Sequence, residues 1–197
     1  KAPGARDVRD ILSELRIKAP RPRTSNPTQA QIEAIIASAD AAGHTGFALG
    51  LVMQWWLTLR AVDVRGQWLD GRWADGLTWD MISKDFTIIT KTPSKTEQTA
   101  PEAMIFDITP LENLRARLQA IPMDQRVGPV IKMEDGQPFK RRYWAVLFRL
   151  HARAAGVPDD VWGMDTRAGA LNHAVGLGAS PYDVRNQANH ASLDTTD

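Results

Sequence analysis

The stretch FALGLVMQWWLTLRAVDV (Phe47–Val64) decides how the rest of the chain is read. Its residues from Phe47 to Leu59 are mainly apolar and are interrupted by Gln54. The run is too short to cross a bilayer, which needs about 20 such residues. It reads instead as a central helix buried on all sides. Its end carries Arg60 out to the edge of a core, where a guanidinium is costly unless it has a partner.

Working upstream, Thr28 followed by Gln31 is a capping-box pattern. Ile32, Ile35, Ile36 and Ala39 then fall on one helical face, and Gly43 is a stop signal. Before them lies an arm closed by the extended, proline-rich APRPRTSNP (Ala19–Pro27). Its first part, residues 1–23, is basic: Lys1, Arg6, Arg9, Arg16, Lys18, Arg21 and Arg23 face only Asp7, Asp10 and Glu14.

Downstream the period changes. LTWDMI (Leu77–Ile82), FTIIT (Phe86–Thr90) and AMIFDI (Ala103–Ile108) are short and rich in β-branched or aromatic residues. They predict a small antiparallel three-stranded sheet, with KTPSKTEQTAPE (Lys91–Glu102) as an exposed hairpin loop carrying Lys91 and Lys95. Helix resumes at TPLENLRARLQAI (Thr109–Ile121), with Thr109 as cap, Pro110 at the first helical position and Glu112 completing the box. KRRYWAVLFRLHARAAG (Lys140–Gly156) is a further helix, stopped by Gly156. The tail predicts two more, over TRAGALNHAVGLG (Thr166–Gly178) and over SPYDVRNQANH (Ser180–His190). The fold class is therefore mainly α with one small antiparallel sheet.

Composition narrows the function classes. The chain has 197 residues, 43% hydrophobic and 24% charged, as in an ordinary globular domain. Absence of cysteine excludes disulfides and thiolate metal sites, and the four histidines show no ligand spacing, so neither metal nor cofactor is expected. The first residues hold no apolar segment of a signal peptide, and the cytoplasm is the default compartment. Net charge is +1, but the arm and the Lys140–Arg141–Arg142 cluster are local basic patches of the kind that bind phosphates.

Arg60, Lys95, Arg167 and His190 stand out among the polar residues. Two arginines, a lysine and a histidine without a metal suit an anion, because the arginine fork matches two phosphate oxygens and keeps its proton at working pH. Each also has a local explanation: Arg60 with Asp63, Arg167 with Asp165, and His190 at a helix C-terminus.

The order of these residues resembles the catalytic domain of tyrosine recombinases, the phage-integrase family, over roughly residues 24–197. TLR with Arg60 and Asp63 is similar to the family's GLR box and its following acid. LTWDMI matches the tryptophan–aspartate strand entry, SKT at Lys95 the hairpin lysine, and MDTR ending in Arg167 the HxxR box. ANH ending in His190 matches LGH, and ASLDTT the trailing SSISTT pattern. Three departures stand beside these matches. Met164 occupies the box-two histidine position, Asn189 replaces a glycine, and RGQWLDGRWADG (Arg65–Gly76) is extra. That extra stretch is expected to be an elaborated loop whose Trp68 and Trp73 pack on the surface.

The resemblance implies a site-specific recombinase that cuts and rejoins double-stranded DNA through a 3′-phosphotyrosyl intermediate. Arg60 and Arg167 would stabilise the transition-state charge, and Lys95 would protonate the leaving 5′-oxygen, with Lys91 as runner-up. His190 would bind the scissile phosphate or position the tyrosine. Lys91, Lys140, Arg141 and Arg142 would contact DNA. The nucleophilic tyrosine would lie just past Asp197, since neither Tyr143 nor Tyr182 occupies the matching position. Residues 1–23 would link to an N-terminal DNA-binding domain, and the active form would be a homo-tetramer on DNA, a monomer or weak oligomer when free, in a bacterial cytoplasm. Alternatives are a degenerate DNA-binding module of the same fold and a type IB topoisomerase-like enzyme.

Overall fold

The computed structural model describes residues 24–94, 103–180 and 182. Lys95, Asn189, His190, the arm over residues 1–23 and nearly all of the last expected helix lie outside the described residues.

Helix α1 (Gln29–Ala41) opens on the expected capping box. Thr28 Oγ1 accepts from the Gln31 amide at 3.3 Å, and Gln31 Oε1 accepts from the Thr28 amide at 2.9 Å. Ile32, Ile35 and Ala39 are buried, and Gly43 leaves the helix at φ +81°. Helix α2 (Thr45–Trp56) is the central helix, with every residue from Phe47 to Trp55 buried. Burying each large apolar side chain there stabilises the fold by about 1.5–3 kcal/mol. Against α1 packs α5 (Arg141–Ala154), which turns Trp144, Leu147, Phe148, His151 and Ala152 inward. These positions recur at the spacing of one helical face. Helix α6 (Thr166–Gly176) closes the bundle against α2 and α1.

Between these helices lies short α3 (Ala61–Arg65), followed by a hairpin of β1 (Gln67–Leu69) and β2 (Arg72–Ala74). The stretch expected as an elaborated loop is thus a β-hairpin. Asp70 and Gly71 at its tip both have positive φ, the geometry a tight two-residue hairpin turn needs. Trp73 anchors it, donating from Nε1 to the Arg65 carbonyl at 3.1 Å and lying against Gly66 and Gly76, while Trp68 is 41% exposed.

A second two-stranded sheet pairs β3 (Ile88–Lys91) with β4 (Met104–Asp107), in register Ile89↔Phe106 and Lys91↔Met104. The expected third strand reaches β3 through one bridge, Ile82↔Ile89, and a second bridge, Thr78↔Pro129, pairs its start elsewhere. Its centre, Trp79–Met81, is a 3-10 turn, because the chain on either side is already engaged: Leu77 pairs with Val64 and Val130, and Trp79 donates to the Gly128 carbonyl. Helix α4 (Glu112–Ala120) also starts later than expected. Thr109 and Pro110 form a turn in which the Thr109 amide donates to Asp107 Oδ1, and Leu111 is the cap.

Candidate active site

Helix α2 ends at Trp56 with Leu57 as its C-cap, and Thr58 takes φ +50° to redirect the chain. Leu59 returns to the core, and Arg60 follows in extended conformation as the N-cap residue of α3. One turn into α3, the Asp63 side chain is fully buried. Arg60 Nη1 stands 4.0 Å from Asp63 Oδ2, too long for a hydrogen bond, so the pair interacts through charge alone. Both atoms are buried and lack a hydrogen-bond partner among the described residues.

Arg167 arrives from the first turn of α6 and donates from Nη1 to the Thr58 carbonyl at 2.6 Å. Its pKa is pulled down to about 10, by burial first and by Arg60 second, with Asp63 opposing both. Two guanidiniums therefore lie within electrostatic range of one another around a single carboxylate. Among the described residues, two cations beside one carboxylate give this desolvated setting a positive character, where an anion would be bound strongly. Asp165, an alternative partner for Arg167, uses Oδ2 to accept from the Trp162 amide at 2.9 Å.

Asp63 has a second task. Its Oδ1 accepts from both the amide and the hydroxyl of Ser94, each at 2.8 Å. Ser94 immediately precedes Lys95, so the chain enters that lysine's segment from beside the arginine pair. Met164 is 69% exposed near the start of α6 and offers no proton.

Lys91 departs from expectation. It was expected on an exposed loop as a DNA contact and alternative proton donor, yet it is only 4% exposed. The alternation of β3 that sends Ile89 inward sends Lys91 inward too, and Nζ donates to the carbonyls of Asp75 at 2.7 Å and Gly76 at 3.3 Å. Its place is therefore at the root of the β1–β2 hairpin.

Lys140, Arg141 and Arg142 are exposed at the start of α5. That end has no acid in its first turn and no side-chain cap, so three cations crowd the positive pole of a helix, an arrangement an incoming anion would relieve. Arg65, 5% exposed, has its pKa lowered by burial and by nearby Arg141. Helix α3 thus runs from the arginine pair at Arg60 towards the basic cluster at Arg65. Sequence reasoning missed Arg65, Thr58 and Ser94; only Arg65, a cation closing the short AVDVR segment, gave a visible signal. Tyr143 stacks on Phe139 with centroids 6.1 Å apart, and Tyr182 is exposed. Among the described residues no group of His, Asp or Glu could hold a metal ion, and no helix is long and apolar enough to cross a membrane.

No family model and no curated protein sequence matches this chain. Solved structures do match it. The XerA recombinase aligns at TM-score 0.65 and 14% identity, over 91% of this chain and 59% of that one. A lambda integrase dimer bound to a COC′ core site aligns at TM-score 0.71 and 12% identity, over 94% of this chain and 62% of that one. The isolated lambda integrase catalytic core aligns at TM-score 0.64 and 13% identity, over 84% of this chain and 95% of that core. The chain spans less than two thirds of the first two proteins and has the fold of tyrosine recombinase catalytic domains.

Proposed function

We propose that this chain is the catalytic domain of a site-specific tyrosine recombinase, acting on double-stranded DNA. The observation that carries the reading is that Arg60 and Asp63, far from Arg167 in sequence, both act on its charge, while Arg60 Nη1 is buried without a hydrogen-bond partner among the described residues. The pair would hold the non-bridging oxygens of a phosphodiester and stabilise the charge that grows on them. A tyrosine just past Asp197 would lose its phenol proton to water and attack phosphorus, forming the P–O(Tyr) bond as the bond to the 5′-oxygen breaks. Lys95, on the segment entered from Ser94, would give the leaving oxygen its proton. His190 would hydrogen-bond the phosphate. Lys140, Arg141 and Arg142 would take backbone phosphates further along the duplex. A lambda integrase tetramer of the same fold is bound to a Holliday junction, which supports a homo-tetramer on DNA here as well.

The test uses the protein extended past Asp197 and nicked duplexes from its host element. A detergent-resistant protein–DNA adduct on the added tyrosine, lost in Arg167→Ala, is the expected outcome. A second reading has one observation in its favour: Met164, where the family has a histidine, cannot move a proton. Salt-sensitive DNA binding with no adduct would make the chain a DNA-binding module of this fold.

A further inference from the structure

The turn between α2 and α3 is built on a residue poorly suited to it. Thr58 has φ +50°, a region that glycine enters freely and asparagine tolerates, but that is an outlier for a β-branched residue. Such strain persists only where the surroundings over-determine it. Here Leu57 and Leu59, 2% and 1% exposed, are locked into the core on either side, and Thr58 itself is 5% exposed. The same bend sets both arginines. It aims the Thr58 carbonyl at Arg167 Nη1, 2.6 Å away, and it delivers Arg60 to the start of α3. Glycine would reach this conformation without strain, but it would also free the turn to move. Threonine is stiff in both backbone and side chain.

We propose that Thr58 is a positioning residue, whose strained, stiff turn holds the Arg167 guanidinium at a fixed place beside Arg60 at some cost in stability. The proposal rests on the reading of the two arginines as a phosphate site.

Two substitutions separate strain from stiffness. Thr58→Gly should raise the thermal midpoint by roughly 2–4 °C, the shift expected for relief of one modest strain in a chain of this size. It should also broaden the guanidinium NMR resonances of Arg167, which are identified by their loss in Arg167→Lys. Thr58→Asn, which keeps a side chain yet accepts positive φ, should raise the midpoint and keep those resonances sharp. A lower midpoint in Thr58→Gly, or resonances as sharp as in the unaltered protein, would overturn the proposal. Titration with a short DNA duplex tests the underlying reading separately. If the Arg167 resonances ignore DNA while the Thr58 variants behave as stated, the phosphate site falls and Thr58 remains the residue that fixes Arg167.

Discussion

His151 directs one ring nitrogen to each of two partners. Nδ1 lies 3.0 Å from Ser38 Oγ on α1, and Nε2 lies 2.8 Å from His44 Nδ1 in the turn before α2. Phe47 closes the third side, with ring centroids 5.9 Å apart. A neutral imidazole, one nitrogen donating and one accepting, satisfies this chain of contacts completely. A charged one has to be accommodated in a buried site next to a second histidine. Burial first and His44 second accordingly hold the His151 pKa below its ordinary value. The unfolded chain then binds the proton more readily than the folded one, so stability is full above the unfolded value of about 6.5 and declines as pH falls below it. The unfolding midpoint should be flat near pH 7.5 and drop towards about pH 5.5, with His151→Gln flattening the drop. An unchanged slope in His151→Gln would assign the acid sensitivity to other groups.

At the scale of elements, the crossing of α2 and α5 depends on Gly50. A Cβ added there would lie 2.4 Å from Trp144 Cη2. The indole has no room to retreat, since it meets Phe47 and Phe139 edge-on at 4.7 and 5.1 Å. Alanine at position 50 would gain up to about 1 kcal/mol in helix propensity. Overpacking a filled core typically costs about 1–3 kcal/mol, and that is the larger effect here. Gly50→Ala should therefore lower the urea midpoint without changing the slope of the transition; a higher midpoint would mean the ring can shift. The helices themselves were legible because their signals are local: the Thr28–Gln31 box, the apolar run of α2, the inward stripe of α5 and the glycine after it. The sheet was less so, because strand status depends on distant partners. LTWDMI has strand composition, yet Leu77 is taken up by Val64 and Val130, and only Ile82 reaches β3. The β1–β2 hairpin carried a readable sign, Asp-Gly between two tryptophans, in a stretch that is extra to the family pattern.

Across the whole molecule, the candidate site could be proposed from its order along the chain, but its depth was illegible. Arg60 and Arg167 could be read from the ordered motifs, whereas the inward turn of Lys91 depends on the register of β3, and the bend at Thr58 on the packing of its neighbours. Under the proposed function, that distinction between exposed and buried cations decides which of them would meet DNA. With a net charge of only +1, long-range attraction to a duplex would be weak, and the proposed binding would have to come from local contacts to phosphates. Each such contact releases counterions and steepens the dependence of affinity on salt by about 0.9 in logarithmic slope. Arg141, exposed at the uncapped pole of α5, should behave as one contact: Arg141→Ala should weaken binding to any duplex sequence and reduce the slope by about 1. Lys91 should behave as a structural group. Lys91→Met would abandon the carbonyls of Asp75 and Gly76, costing about 1–3 kcal/mol of stability. The salt slope, measured by fluorescence anisotropy below the variant's melting range, should stay where it was. If both substitutions lower the slope equally, Lys91 leaves its pocket when DNA binds and belongs with the phosphate contacts. If neither does, the duplex lies away from the start of α5, and the basic cluster there serves something other than DNA.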